Sequence, residues 1–417
     1  MSGKVAIVNI GQLVTLAGPA RARVGAEMRE LGIWRDVTML VEAGRVAQIG
    51  THEDYIETEI DQQTSVIDAE GCLVTPGFVD AHTHLVFAGD RAKDFEKRIA
   101  GATYQEIAAA GGGIQSTVEL TRKATEDELL AQARQHRDWM LRGGTTTLEA
   151  KSGYGLDHAT ELRMLRVLAR LSAEGPVKIV PTLLAAHTVP KEFADRRTEY
   201  LEMIVTELIP EVAKLGLARY CDAFCDDHAF TVAETREVLE AAKRHGLSLR
   251  LHAEQFRPGT GAALAAELHA TTVDHLETVT EETLYLLKAA QVQPVLLPAS
   301  VFCLGREQYP PARTMIEMGL PVVIATDFNP GSSPAPSMLF TLALASIAMK
   351  MLPAEALTAA TINAAWSLGL GNEIGSLEPK KQADFLIHEC EDHRELAYYV
   401  AAPARPRVFI AGIEVTQ

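Results

Sequence analysis

Leu73-Val74-Thr75-Pro76-Gly77-Phe78-Val79-Asp80-Ala81-His82-Thr83-His84 is the stretch on which the fold turns. Its apolar run, 73–80, reads as a strand that ends in two histidines spaced i and i+2. Alternate side chains of an extended backbone share a face, so both imidazoles can point into one site. Downstream, similar short apolar runs alternate with longer helical patterns as far as about Gly371. Period and breakers give eight candidate strands, near 73–80, 145–150, 178–186, 219–225, 248–253, 271–275, 294–299 and 321–326. The intervening segments carry helix signals. Glu126–Leu141 opens on Thr125 as an N-cap and closes at Gly143 and Gly144, and Val232–Arg244 closes at Gly246.

Strands that alternate with helices pair in parallel through helical crossovers. Eight such units in about 300 residues predict a closed (β/α)8 barrel. An open doubly wound sheet is the rival, but the Gly-rich nucleotide turn that usually follows its first strand is missing here. The flanks differ in kind. Val5–Ile10, Val37–Val41 and Val46–Ile49 in the front, and Asp384–His388 and Val408–Ile413 at the back, are β-rich. The expected organisation is an α/β protein with a (β/α)8 barrel over 73–372 and a small β-sandwich domain assembled from 1–72 and 373–417.

Barrel enzymes place their chemistry where the C-terminal strand ends converge. Those ends carry His82 and His84 on the first strand, His187 on the third, His252 on the fifth, His275 on the sixth and Asp327 on the eighth. A histidine pair by itself recurs by chance. The conjunction of four histidine-bearing strand ends with an aspartate on the last strand carries the weight. His82, His84, His252 and Asp327 together make a nitrogen-rich site that suits zinc or iron rather than magnesium. An open position beside such a metal makes water reactive near neutral pH. Other histidines, such as His136 and His393, read as structural or surface residues.

Bulk properties narrow the remaining classes. The 417 residues are 47% hydrophobic and 23% charged, enough for a large core. A balance of 39 basic against 55 acidic residues, a formal net charge of −16, disfavours nucleic acid as a partner. The most apolar stretch, near Met338 to Leu352, is broken by Lys350 and too short to span a bilayer. No signal peptide is evident, and five scattered cysteines argue against a disulfide framework, so a cytoplasmic location is expected. Cys221 and Cys225 read as core or loop residues rather than a zinc knuckle.

Pro76-Gly77-Phe78-Val79-Asp80-Ala81-His82-Thr83-His84 and the tail Gly375-Ser376-Leu377-Glu378-Pro379-Lys380-Lys381-Gln382-Ala383-Asp384-Phe385 resemble the amidohydrolase superfamily across nearly the whole chain. Narrower motifs are similar to its imidazolonepropionase family. They are Ala110-Gly111-Gly112-Gly113-Ile114, Glu149-Ala150-Lys151-Ser152-Gly153-Tyr154-Gly155-Leu156, Ala186-His187-Thr188-Val189-Pro190, and Ala325-Thr326-Asp327-Phe328-Asn329-Pro330-Gly331-Ser332-Ser333. The resemblance implies metal-dependent opening of a cyclic amide, imidazolone propanoate, in histidine breakdown. It implies one zinc or iron ion on His82, His84, His252 and Asp327. It further implies substrate contacts from Arg91, Tyr154, His187, Asn329, Gly331 and Ser332, a catalytic role for His275 beside the reactive water, and a homodimer.

One departure stands out. Many members of the resembled family carry an acid three positions after the strand-five histidine, where His252-Ala253-Glu254-Gln255 has Gln255. An amide cannot act as a base. Gln255 is therefore expected to contact substrate only, leaving proton transfer to Asp327 and His275. Glu254 is expected on the opposite face if the strand stays extended. Read without the family, several of these residues have plainer roles. Arg91 reads as a surface partner of Asp90, Tyr154 as a loop tyrosine whose flanking glycines suggest a closing lid, Lys151 as a supporting residue, and Asn329 and Ser332 as shapers of a turn. Deamination of a purine-like ring, or a barrel that only binds, are the competing activities.

Overall fold

The computed structural model describes residues 3–415 apart from 52, 53, 55–59, 61, 103–105, 107–109, 227, 228, 403 and 404. Five strands come first: β1 (Val5–Val14), β2 (Ile33–Glu42), β3 (Arg45–Thr51), β4 (Ser65–Asp68) and β5 (Leu73–Pro76). The middle of the chain supplies β6 (Phe78–Asp80), β7 (Thr145–Lys151), β8 (Lys178–Ala186), β9 (Tyr220–Cys225), β10 (Ser248–Leu249), β11 (His252–Ala253), β12 (Thr272–His275), β13 (Gln293–Leu296) and β14 (Val323–Ile324). The last strands are β15 (Phe385–His388), β16 (Arg407–Ile410) and β17 (Ile413–Glu414).

The middle strands form the expected barrel. Their order follows the sequence from β6 to β14, all in parallel, with β10 and β11 as two pieces of the fifth position. Closure between the last position and the first happens at the site itself. Thr83 bridges Phe328 in parallel, the Asp327 N–H donates to the His82 carbonyl at 3.1 Å, and the His84 N–H donates to the Phe328 carbonyl at 2.8 Å. The backbone bonds that seal the barrel thus lock the first and last strand ends together. The crossover helices obey local rules. Thr125 accepts from the Glu128 N–H in a capping box that starts Glu126–Arg142, and Thr231 does the same for Val232–Arg244.

The chain ends build one mixed sheet in the order β17-β16-β15-β5-β1-β2-β3, with β4 on β1. Its interior gathers Ile7, Leu13, Met39, Val74, Phe385 and Phe409, and the last two rings stack at 4.4 Å. Burying each large side chain is worth roughly 1.5–3 kcal/mol, which ties the two ends into one body.

Two differences from the sequence reading have clear causes. The run 73–80 is two strands in two sheets. Leu73–Pro76 pairs with β1 and β15, and at Gly77 the chain passes into the barrel, where a Cβ would overlap the Thr146 side chain. The seventh barrel strand ends at Leu296, before the run expected to 299, because Pro298 starts the helix Pro298–Cys303. Among the described residues, no helix is long and apolar enough to cross a membrane. All five cysteines are free, and Cys221 and Cys225 are buried in and at the end of β9.

Candidate active site

His82 and His84 leave β6, His252 opens β11, and Asp327 follows β14. One ring nitrogen from each histidine lies within 4.8 Å of the other two. Asp327 Oδ1 stands 3.4 Å from His82 Nε2 and 3.6 Å from His84 Nε2. All four side chains are buried. The expected set is therefore brought together at one point.

The protonation pattern suits a cation. His82 Nδ1 is 2.6 Å from Asp274 Oδ2, and His252 Nδ1 is 3.1 Å from Asp222 Oδ1. Each carboxylate holds the proton on Nδ1 and leaves Nε2 as a lone pair. His82 Nε2 and His252 Nε2 are buried without a protein hydrogen-bond partner, as is Nδ1 of His84. An orphaned buried polar atom costs about 1–3 kcal/mol. Three converging imidazoles and a carboxylate are a donor set for zinc or iron. Burial, reinforced by Lys151, pushes His82 well below the ordinary histidine value, keeping it neutral as a ligand must be.

Behind the imidazoles lies a layer that the sequence reading did not single out. Lys151 Nζ sits 2.9 Å from Glu149 Oε1, 2.8 Å from Asp222 Oδ2 and 3.8 Å from Asp274 Oδ2, with all four side chains fully buried. The supporting role assigned to Lys151 is thus to bridge the carboxylates that orient His252 and His82. Burial opposes its charge, but Asp222 and Glu149 outweigh that and raise Lys151 above the usual lysine value. Arg250 closes the layer, donating to the Ala81 carbonyl at 2.8 Å and lying 3.7 Å from Asp274. The available signal was a charged residue inside an apolar strand, as in Val273-Asp274-His275 and Cys221-Asp222-Ala223.

His275 lies beside the cluster, its ring 5.4 Å from that of His252 and 5.9 Å from that of His82. Its Nδ1 meets Glu277 Oε1 at 3.3 Å. Burial works against its charge, yet Glu277 prevails and raises His275 above the usual value. Backbone strain collects here. His275, Asp327 and Glu254 all have positive φ, at 82°, 53° and 52°. Non-glycine residues in this region cost about 1–3 kcal/mol each, which sharp packing must offset. The strand therefore does not stay extended at Glu254. Its carboxylate accepts from the Ala262 N–H at 3.0 Å, at the start of the helix Gly261–Leu268, away from the imidazole cluster. Burial pushes that carboxyl up to about 7.

His187, Tyr154 and Arg91 form a wall beside the cluster. His187 stacks on His84 at 5.2 Å, with its Nδ1 2.9 Å from the Gly153 carbonyl. Burial, then His252, lowers His187 to about 3. The Tyr154 ring lies 5.7 Å from His84 and 5.4 Å from His187. Arg91 stands over that ring at 5.9 Å and donates from Nε to Thr117 Oγ1 at 2.8 Å. Asp90 instead caps the Ala92 N–H at 2.9 Å. Gly331 abuts the Arg91 guanidinium, and a Cβ there would come within 2.9 Å of Cζ. Asn329 is committed to the turn: its amide donates to the Asp327 carbonyl and to Ser332 Oγ, and its Oδ1 accepts from the Gly331 and Ser332 N–H groups. Gln255 is buried at the end of the fifth strand position, 6% exposed. Tyr154 is 2% exposed, and its loop is tied down on both sides.

A barrel with a chain-end sheet and a buried imidazole–carboxylate cluster at its C-terminal rim defines a class of metal-dependent hydrolases. The amidohydrolase family model matches residues 73–411, and the chain belongs to that family. Within it, the chain is 53% identical over 407 residues to the imidazolonepropionase of Solibacter usitatus (strain Ellin6076), covering 98% of this chain and 97% of that one. It is 44% identical over 408 residues to the imidazolonepropionase of Symbiobacterium thermophilum, covering 97% and 96%. Among solved structures, an adenosine deaminase from Xanthomonas campestris with bound zinc superposes with a TM-score of 0.71 at 19% identity, covering 98% and 92%. A guanine deaminase from E. coli superposes with a TM-score of 0.70 at 16% identity, with both chains fully covered. At these identities the structural likeness speaks to fold.

Proposed function

We propose that this chain hydrolyses 4-imidazolone-5-propanoate to N-formimidoyl-L-glutamate in histidine degradation, with one zinc or iron ion held by His82, His84, His252 and Asp327. The observation that carries the reading is a buried, carboxylate-braced imidazole cluster with Arg91 posted over the aromatic wall beside it. Relatives at 44–53% identity over nearly the full chain bear that name. The metal, when bound, supplies Lewis acidity that makes water nucleophilic near neutral pH and polarises the ring carbonyl.

The other steps belong to side chains. Asp327 faces the histidines with Oδ1 and Ser332 Oγ with Oδ2, the latter at 3.4 Å. Oδ2 takes the proton of the attacking water and passes it to the ring nitrogen as the C–N bond breaks. The water oxygen stays on the carbonyl carbon, so atoms and charge balance. His275, held through Nδ1 by Glu277, donates from Nε2 to the carbonyl oxygen as negative charge develops there. His187 is neutral and spends its Nδ1 proton on Gly153, which leaves Nε2 to accept from a ring N–H. Gln255 contributes hydrogen bonds to the ring. The Arg91 fork clamps the propanoate, and the Asn329-built turn presents Gly331 and Ser332 beside it.

A cytoplasmic location and a homodimer complete the reading. Five free cysteines accord with the first, and sedimentation of the purified protein tests the second. The activity is tested by incubating the protein with imidazolone propanoate and following the loss of ring absorbance. Turnover to N-formimidoyl-glutamate is expected. No turnover, with ammonia released from an aminated heterocycle instead, overturns the proposal in favour of a deaminase.

A further inference from the structure

The loop that carries Tyr154 joins β7 to the helix His158–Glu174, and its backbone is held from two sides. On one side, the N–H groups of Gly153, Gly155 and Leu156 converge on the carboxylate of Glu161. The shortest contacts are 3.0 Å from Gly153 and 2.8 Å from each of the other two. On the other side, Arg122 donates from Nε to the Gly155 carbonyl at 2.7 Å and from Nη2 to the Leu156 carbonyl at 2.9 Å. Arg122 is itself pinned by Asp157 at 3.0 Å and Glu192 at 2.6 Å.

This loop does not hold its shape by backbone preference. Gly153 has φ +103° and Leu156 has φ +51°. Glu161 is fully buried, and a Cβ on Gly155 would stand 2.9 Å from its Oε1, so carboxylate and loop are fitted to each other. Glu161 Oε1 accepts from Gly155 and Leu156 and Oε2 from Gly153; burial raises this carboxyl above its ordinary value, and the Ser152 side chain and the three backbone donors oppose that rise. Neither Glu161 nor Arg122 belongs to the imidazole cluster. What they fix is Tyr154, whose ring sits between His84, His187 and Arg91.

We propose that Glu161 and Arg122 are positioning residues for substrate binding: together they clamp the loop so that Tyr154 forms a rigid wall over which Arg91 is set. The proposal rests on the reading of Tyr154 and Arg91 as substrate contacts. Glu161→Gln sets an NH2 group against either the Gly153 N–H or the Gly155 and Leu156 N–H groups, donor against donor. Arg122→Met removes the carbonyl side of the clamp from a partly exposed position and serves if the first variant does not fold.

Two readouts separate this inference from the reading it rests on. Hydrogen exchange of the holoenzyme without substrate is expected to show the Gly153, Gly155 and Leu156 amides exchanging about tenfold faster or more in Glu161→Gln, with metal content unchanged. With imidazolone propanoate, KM is expected to rise about tenfold while kcat changes little, because a fixed wall contributes mainly uniform binding. In a Tyr154→Ala background the same Glu161→Gln change is expected to leave KM nearly unmoved, since the two residues act as a unit. Unchanged exchange, or an equal rise in KM in both backgrounds, overturns the clamp. Wild-type protein that does not use the compound overturns the proposed activity instead, while the exchange data still decide whether Glu161 orders the loop.

Discussion

Replacing Gly331 by alanine should damage binding of the propanoate without damaging the fold. Gly331 does not have a positive φ, so its backbone accepts an alanine. The obstacle is a neighbour. The new Cβ would overlap Nη1 of Arg91 and lie 2.9 Å from Cζ, against ordinary contact at about 3.4 Å or more. Nη1 is the far end of a flexible side chain, so the collision is relieved by moving the guanidinium, at a stability cost of about 1 kcal/mol or less. The movement is not free for function, because Arg91 Nε is fastened to Thr117 Oγ1 at 2.8 Å and its plane is set over Tyr154. A shift of roughly half an ångström breaks the match of a two-pronged donor to a carboxylate. A charge-assisted hydrogen bond is worth about 1.5–3 kcal/mol, or about 10- to 100-fold in binding. Steady-state kinetics of Gly331→Ala with imidazolone propanoate should therefore show KM raised by that factor, kcat within a few-fold, and thermal stability and metal content near wild type. An unchanged KM in a folded, metal-loaded variant would refute the placement of the carboxylate at Arg91.

Asp274→Ala should weaken metal affinity about 10- to 100-fold, as removal of an orienting partner of a metal-bound histidine generally does. It should also lower stability by about 3–5 kcal/mol, because Lys151 and Arg250 lose a buried partner. Chelator competition and denaturant melts measure the two effects, and unchanged chelator resistance would show that His82 needs no such brace. His388, buried in β15 with Thr75 Oγ1 2.9 Å from Nε2, is lowered by burial from 6.5 to about 3. A histidine depressed in the folded state lets the unfolded chain bind the extra proton, so it subtracts stability as pH falls from 6.5 towards 3, by on the order of a few kcal/mol. His388→Gln should flatten the stability curve across that window while leaving kcat/KM at pH 7 unchanged. An equally steep curve in the variant would assign the acid sensitivity to other groups.

Much of the fold was legible because its signals are local. Alternating strands and helices, the Thr125 and Thr231 caps, and Pro298 each act within a few residues. The candidate site was legible for a different reason: a barrel carries every strand end to one rim, so His82, His252 and Asp327 meet although they are far apart in the chain. What escaped was set by tertiary packing. The division of 73–80 between two sheets depends on β15 arriving from the other end of the chain to pair with Leu73–Pro76. The Glu149–Lys151–Asp222–Asp274 layer looks in sequence like stray charges in apolar strands, and only the closed barrel brings them within reach of one another. Likewise, the glycines around Tyr154 looked like freedom, whereas Glu161 uses them to approach the backbone closely.

The measurement that bears most directly on the whole picture is an anomalous difference map from crystals of the purified protein, collected at the zinc and iron edges. One peak should appear at full occupancy, about 2.0–2.2 Å from a ring nitrogen of each of His82, His84 and His252 and from a carboxylate oxygen of Asp327. A map without a peak at that point, from protein that turns over imidazolone propanoate, would contradict it.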